Sequence, residues 1–485
     1  MKDGVNEKHL AYDGMIHSGG ETLDPADLQG GILRGFGRSL VRHVMLEVTD
    51  RRAARAFLGA CANGQGALPI TTEEHWGATK PDVNFNVGLT HFGLSALGVA
   101  PLSLADFPTE FRAGMETRGD KLGDVGGSAP SNWPAPFDQP ERIHVIATLH
   151  ADVESFLNAA DMALASVPGF TVLGARSGAN FDGPYVHFGY HDNISQPRFQ
   201  GVHDPSRFPD AQPQVPLGTA LLGYESVYEG IRWKVPKPEV LGKMGSFNAF
   251  RVLEQDVVAF EAFLTHAAEQ IMADPRAEQV LAKGSEDQIG KGLSYKDALR
   301  EVVAAKLCGR WRNGTPLELS PDTPQPDPDV PRSDFDYNKS GAGCPFGAHT
   351  RRCNPRGGPI VQRIANNTRR LVRRGVPYGP AYDPAKPDAE ERGLLGNFIC
   401  GNLGAQFEAV MCDWLNLGLQ DPNITGTNDP LLGANDPDES YFEFPLLDGT
   451  SIRLDGLPRL VHVRGGAYTF LPSVPALRYI AGLQT

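Results

Sequence analysis

Long apolar runs are missing from this chain of 485 residues. No stretch approaches the roughly 18 apolar residues of a membrane-spanning helix, and the start, MKDGVNEKHLAYDG, has neither the apolar core of a secretion signal nor a twin-arginine opening. The expectation is a cytoplasmic protein with no membrane partner. Basic charge is also in short supply: 45 Lys and Arg face 58 Asp and Glu, for a net −13. Phosphate backbones are bound by clustered positive charge, so nucleic acid is excluded as a partner. Cysteine is scarce, with six residues (Cys61, Cys308, Cys344, Cys353, Cys400 and Cys412) and no CxxC spacing. A disulfide framework and a thiol redox motif are therefore not expected, and the thiols read as reduced.

What is present is enough apolar material, 41% of residues, to build two domains around a buried ligand. A β-like run followed by an acidic or polar turn and a helix-like amphipathic stretch recurs at 43–60, 144–164, 247–267 and 467–483. In the first three, alternation gives way to 3.6-residue periodicity just after an Asp or Glu suited to a helix start. Two such units per half predict an α+β fold made of two copies of a split β-α-β module, each an antiparallel sheet with helices on one face. The Pro- and Asp-rich stretch 201–217 reads as a connector, which puts the domains at 1–205 and 216–485. A second irregular stretch, 314–345, is too long to be idle and leads into the most informative residues of the chain.

Three segments carry candidate chemistry. CPFGAHTRRCNPR (344–356) sets His349 among small residues and arginines. Zinc held by Cys344, His349 and Cys353 is one reading, although these spacings match no common finger. The other is an imidazole on haem iron, with Arg351, Arg352 or Arg356 pairing with propionates, since a guanidinium fork suits a carboxylate. FGYHDNISQP (188–197) places Asp192 in a turn-like stretch, and most such Asp residues only form turns. RRLVRRGVPYGP (369–380) puts four arginines before a glycine turn, which alone reads as a solvated basic patch.

Taken together and in this order, the three segments resemble the signature blocks of the dye-decolourising peroxidases: the GxxDG loop, the axial-histidine block and the distal-arginine block. QGGILRGFG (29–37), GDVGGSAPSNW (123–133), AAKLCGRWRNGTPL (304–317) and GLLGNFICGNLGAQFEAVMCDWLN (393–416) extend the resemblance over nearly the whole chain. It implies two tandem ferredoxin-like domains with haem bound in the second, and His349 as axial iron ligand. It further implies Asp192 and Arg373 as the groups that activate hydrogen peroxide, Arg374 being the rival for Arg373. Ser195, Arg310 and Arg351 are the other expected cofactor contacts. Glu408 is the candidate acceptor for the second N–H of the axial imidazole, with Asp413 next.

The implied reaction is oxidation of phenols and dyes by one-electron steps through a ferryl intermediate. Asp192 would carry a proton between the peroxide oxygens, and Arg373 would stabilise charge on the departing one. A carboxylate base also keeps working at lower pH than a histidine would. No CxxCH occurs, so the cofactor is expected to be one non-covalent haem b per chain. Surface Trp or Tyr would pass electrons from bulky donors, and the candidates among the tryptophans are Trp76, Trp133, Trp233, Trp311 and Trp414. Association with copies of itself stays open.

The chain departs from the family pattern in two places. Residue 193 is Asn where the motif has Gly, and Asn tolerates left-handed backbone better than other side chains do. Gly396 falls where a bulky distal aromatic is expected, which predicts a roomier pocket. The rival functional reading is a haem-binding or haem-handling protein without catalysis.

Overall fold

The computed structural model describes residues 14–76, 79–207, 214–227, 231–324, 333, 335–357, 361 and 363–484. Parts of both irregular stretches, including 208–213 and 325–332, therefore lie outside the described residues.

All four strand-helix units form. Strand β1 (Leu40–Val48) runs into helix α1 (Arg51–Ala62), whose first turn is closed by Asp50, its carboxylate accepting from the backbone N–H groups of Arg52 and Ala53. After β2 (Val83–Leu89), strand β3 (Val145–Ala151) leads into α2 (Glu154–Ala165), and β4 (Phe170–Ala179) completes the first half. The second half opens with β5 (Ser246–Gln255) and α3 (Val257–Ala273), capped by Asp256 onto Ala259 N–H, and α4 (Tyr295–Cys308) packs on α3. Strands β6 (Val372–Tyr378) and β7 (Gly393–Cys400) follow. Strand β8 (Val461–Leu471) then hands over to a C-terminal helix, Val474–Ala481, capped by Ser473.

The strands form one eight-stranded antiparallel sheet in the order β4-β1-β3-β2-β8-β5-β7-β6. Each half has the strand order of a ferredoxin-like module, 4-1-3-2, and the halves are joined where Phe470 of β8 pairs with Leu89 of β2. Twist accumulates across eight strands and curls the sheet on itself. The His43 ring of β1 comes to 4.8 Å from the Phe250 ring of β5, although three strands separate them in the sheet. The two edges also meet. A Cβ on Gly178 of β4 would lie 2.7 Å from the Pro377 carbonyl oxygen of β6, so only glycine fits there. One apolar core runs through both halves, and a second, smaller cluster packs Ile16, Leu23, Phe199 and Leu217 against Val372 and Ile399. That smaller cluster backs the roots of β6 and β7, the strands that carry the arginine block.

Among the described residues no helix is long and apolar enough to cross a membrane.

Candidate active site

His349 opens the five-residue helix α5 (His349–Cys353). Its Nδ1 lies 3.0 and 3.1 Å from the two carboxylate oxygens of Asp429, which is fully buried and also accepts from the N–H groups of Leu431 and Leu432. Burial works against charge on both partners. Their mutual attraction outweighs it, holding His349 well above and Asp429 below their ordinary pKa values. With Nδ1 committed to Asp429, Nε2 is the nitrogen left to bind a metal, and about a quarter of the side chain stays accessible (26%).

This corrects the expected partner. Glu408 lies in a π-helical segment, Leu403–Glu408, that points its carboxylate at Arg118, Lys121 and Tyr468. Asp413 pairs with Arg369 at 3.0 Å. Asp429 comes from a loop 80 residues beyond His349, and no spacing in the sequence marks it.

Arg351 is also reassigned. Two positions after His349 on a helix, it leaves the turn on another side. Its guanidinium donates to the carbonyls of Cys344 and Asn338 at 2.6 and 2.9 Å and is sandwiched between the rings of Tyr337 and Phe346. It clamps the 337–346 segment onto α5. Arg352 likewise serves carbonyls, those of Gly347, Trp414 and Thr427. Cys344 is buried, and among the described residues no three His, Cys, Asp or Glu converge as a metal cage, so Cys344, His349 and Cys353 do not make a zinc site.

Across the site, the Asp192 loop is anchored by Phe188 and Tyr190. Their rings pack on Phe260, and the Tyr190 hydroxyl donates to the Ala304 carbonyl at 2.7 Å. Asn193 takes the left-handed conformation, φ 60°, that the motif assigns to glycine. Gln196 then ties this loop to β6. Its amide oxygen accepts from Arg373 N–H at 3.1 Å, and its Nε2 donates to the Arg373 carbonyl at 2.9 Å and to Asn193 Oδ1 at 3.3 Å. The Arg373 guanidinium donates to the Ser195 carbonyl at 2.8 Å, so the contact from Ser195 is made by its backbone.

Strand alternation turns Arg374 the other way, onto the carbonyls of Gly31 and Ile32. Phe398 stands opposite Arg373 in the β6–β7 pair, and its ring covers Gly396, where an added Cβ would lie 2.7 Å from it. The space that the glycine opens is thus taken by an aromatic two residues further on.

Several arginines converge beside this pair. Arg370 is pushed down to about 10 by burial and by the neighbouring charges of Arg356, Arg373 and Arg198. Arg356 donates Nη1 to the Ser333 carbonyl while its buried Nε has no protein partner. Arg310, buried at the end of α4, donates to the Gly314 carbonyl and shares the ring of Phe335 with Arg356. A dianion matches this excess of positive charge. An imidazole held at Nδ1 by a buried carboxylate, its Nε2 3.7 Å from the Cys353 sulfur, together with a cluster of arginines, fits a haem with its two propionates.

No protein-family model matches the chain. Among curated relatives, the multifunctional dye peroxidase DyP2 of an Amycolatopsis species is 29% identical, over 93% of this chain and 95% of that protein. The dye-decolorizing peroxidase msp1 of Mycetinis scorodonius is 27% identical, over 94% of this chain and 88% of that protein. Solved structures agree. A dye-decolorizing peroxidase in complex with cyanide superposes with a TM-score of 0.77 at 28% identity, covering 95% of this chain and 100% of that one. Another, in complex with 2,6-dimethoxyphenol, superposes with a TM-score of 0.75 at 28% identity and the same coverage. These relatives and structural neighbours match over almost the entire chain, which is similar in both sequence and fold to dye-decolourising peroxidases.

Proposed function

We propose that this peroxidase reduces hydrogen peroxide and oxidises small aromatic donors, phenols and dyes among them, with His349 as iron ligand and Asp192 and Arg373 as the groups that act on peroxide. The observation that carries this reading is the Gln196 clamp, which brings the Asp192 loop and the Arg373 strand together although the two residues lie far apart in the chain. The complex of a related enzyme with 2,6-dimethoxyphenol supports phenolic donors. We assign the two modules to 1–205 and 216–485, with the cofactor held by the second.

The cofactor we propose is one non-covalent haem b per chain. His349 Nε2 would take the iron, and Arg356 and Arg370 would face the propionates. When bound, the haem supplies an iron that accepts oxidising equivalents from peroxide. The protein's own part is proton movement and electrostatics. Asp192 accepts the proton from one peroxide oxygen and returns it to the other. Arg373, fixed at its backbone by Gln196 and at its guanidinium by Ser195, stabilises negative charge on the departing oxygen without having to reorganise. Asp429 keeps the imidazole oriented and electron-rich.

Recording the Soret band of purified protein before and after one equivalent of peroxide tests this. A band that shifts with peroxide and returns on adding a phenol supports it. A band that ignores peroxide assigns the chain to haem handling instead, and the absence of any band removes haem altogether.

A further inference from the structure

Peroxide activation as described makes no use of Glu408, yet this carboxylate is fully buried and elaborately held. It takes paired hydrogen bonds from Arg118 Nε and Nη2 at 2.9 and 2.7 Å, lies 3.1 Å from Lys121 Nζ, and accepts from the Tyr468 hydroxyl at 3.0 Å. Burial alone would raise its pKa. Arg118 and Lys121 outweigh burial and keep its pKa low.

Tyr468 occupies a particular place in the sheet. Arg373 pairs with Phe398, Phe398 with Ala249, and Ala249 with Tyr468, so the four residues form one row across β6, β7, β5 and β8. Cross-strand partners share a face of the sheet. The small Ala249 leaves a gap in the row, and Phe407 of the π-helical segment fills it. Its ring centroid is 5.5 Å from that of Phe398 and 6.1 Å from that of Tyr468. Three aromatic rings in contact thus lead from the neighbour of Arg373 to a phenol hydrogen-bonded to a carboxylate. Tyr468 is 2% exposed, so no donor molecule touches it.

Removing one electron from a phenol makes its hydroxyl strongly acidic. In a dry interior the resulting cation is too costly unless the proton has an acceptor in place. Glu408 is such an acceptor at hydrogen-bond distance, which an ordinary buried tyrosine bonded to a carbonyl lacks.

We propose that Tyr468 is a redox-active residue that stores an oxidising equivalent inside the protein when no external donor is present. This rests on the haem peroxidase reading of His349, Asp192 and Arg373. One electron leaves the Tyr468 ring by way of Phe407 and Phe398 for the peroxide-oxidised cofactor, which is reduced by one electron. The O–H bond breaks, the proton passes to Glu408, and a neutral tyrosyl radical remains beside a carboxylic acid. Return of one electron from a donor, with the proton from Glu408, restores both groups.

The test uses the haem-loaded protein mixed with one equivalent of peroxide without donor, freeze-quenched and examined by electron paramagnetic resonance, with the Soret band recorded on the same samples. A tyrosyl signal is expected in the wild type that narrows when the protein carries ring-deuterated tyrosine and disappears in Tyr468→Phe. Phe407→Leu should delay its appearance. Glu408→Gln, which keeps a hydrogen-bond partner but removes the proton acceptor, should lower its yield with Tyr468 still in place. If Glu408→Gln does not fold, a slower appearance of the radical in deuterium oxide reports the same proton transfer. A Soret band that shifts with no tyrosyl signal, or a signal that survives Tyr468→Phe unchanged, overturns the inference alone. A Soret band that ignores peroxide overturns the site reading and this inference with it.

Discussion

The two sides of the site are built by different physics. Behind His349, position is set by a buried ion pair: Asp429 is fully enclosed, its carboxylate further pinned by two backbone N–H groups, and its partner is 3.0 Å away. On the Arg373 side, position is set by neutral amide and carbonyl hydrogen bonds at a partly exposed strand edge, through Gln196 and Ser195. Removing one partner of a buried charge pair leaves the other uncompensated in low dielectric, which is costly. Amide hydrogen bonds near water are each worth only about 1 kcal/mol, but several of them fix a backbone register. The His349 side is therefore expected to govern cofactor retention, and the Arg373 side to govern rate.

Four substitutions and one control sharpen that contrast, the largest effect first. His349→Ala removes the only protein bond proposed for iron, and haem content or ligation, read from the Soret and visible bands, should change outright. An unchanged spectrum would move the ligand to another of the 13 histidines, with His191 the first to examine.

Asp192→Asn keeps the shape but cannot accept a proton. The stopped-flow rate with peroxide should fall roughly 100- to 10,000-fold with the resting spectrum nearly intact. A wild-type rate across the acidic range would reduce Asp192 to organising the loop, and activity rising where imidazole titrates would show His191 standing in.

Arg373→Leu should slow the same reaction by about 100- to 1,000-fold while haem binding survives, and Arg374→Leu, facing the other side of the strand, should do far less. The reverse ranking would exchange their roles. Asp429→Asn is the mildest of the four. Weakening the partner behind a metal-bound histidine, here by removing the carboxylate's charge while an amide oxygen remains, typically costs roughly 10- to 100-fold, and it should appear as weaker haem retention in a dissociation assay. A rate defect with full haem retention would erase the distinction between the two sides.

Much of this architecture was legible in the chain. The switch from alternation to helical periodicity just after Asp50 and Asp256 is a local signal, because an N-cap carboxylate and an apolar stripe act within a few residues. Asn193 could be judged from its own backbone preference, and it adopts the predicted left-handed conformation. The reading of Gly396 as room in the pocket failed because the space above a strand residue is filled by whatever stands two positions along the same face, here Phe398. Glu408 and Asp413 stand out as candidates because they sit in a recognisable block, whereas Asp429 lies in a loop with no period to mark it.

By itself the sequence determined the resemblance to dye-decolourising peroxidases and the four strand-helix units, since each is written in local pattern or in motif. Tertiary structure alone decided which carboxylate stands behind His349, that Arg351 is spent on carbonyls, that Gln196 joins the Asp192 loop to β6, and that Phe398, Phe407 and Tyr468 line up. These are contacts between residues tens to hundreds of positions apart. They depend on how an eight-stranded sheet curls and on which face each strand presents, and neither is encoded in the neighbourhood of any one residue.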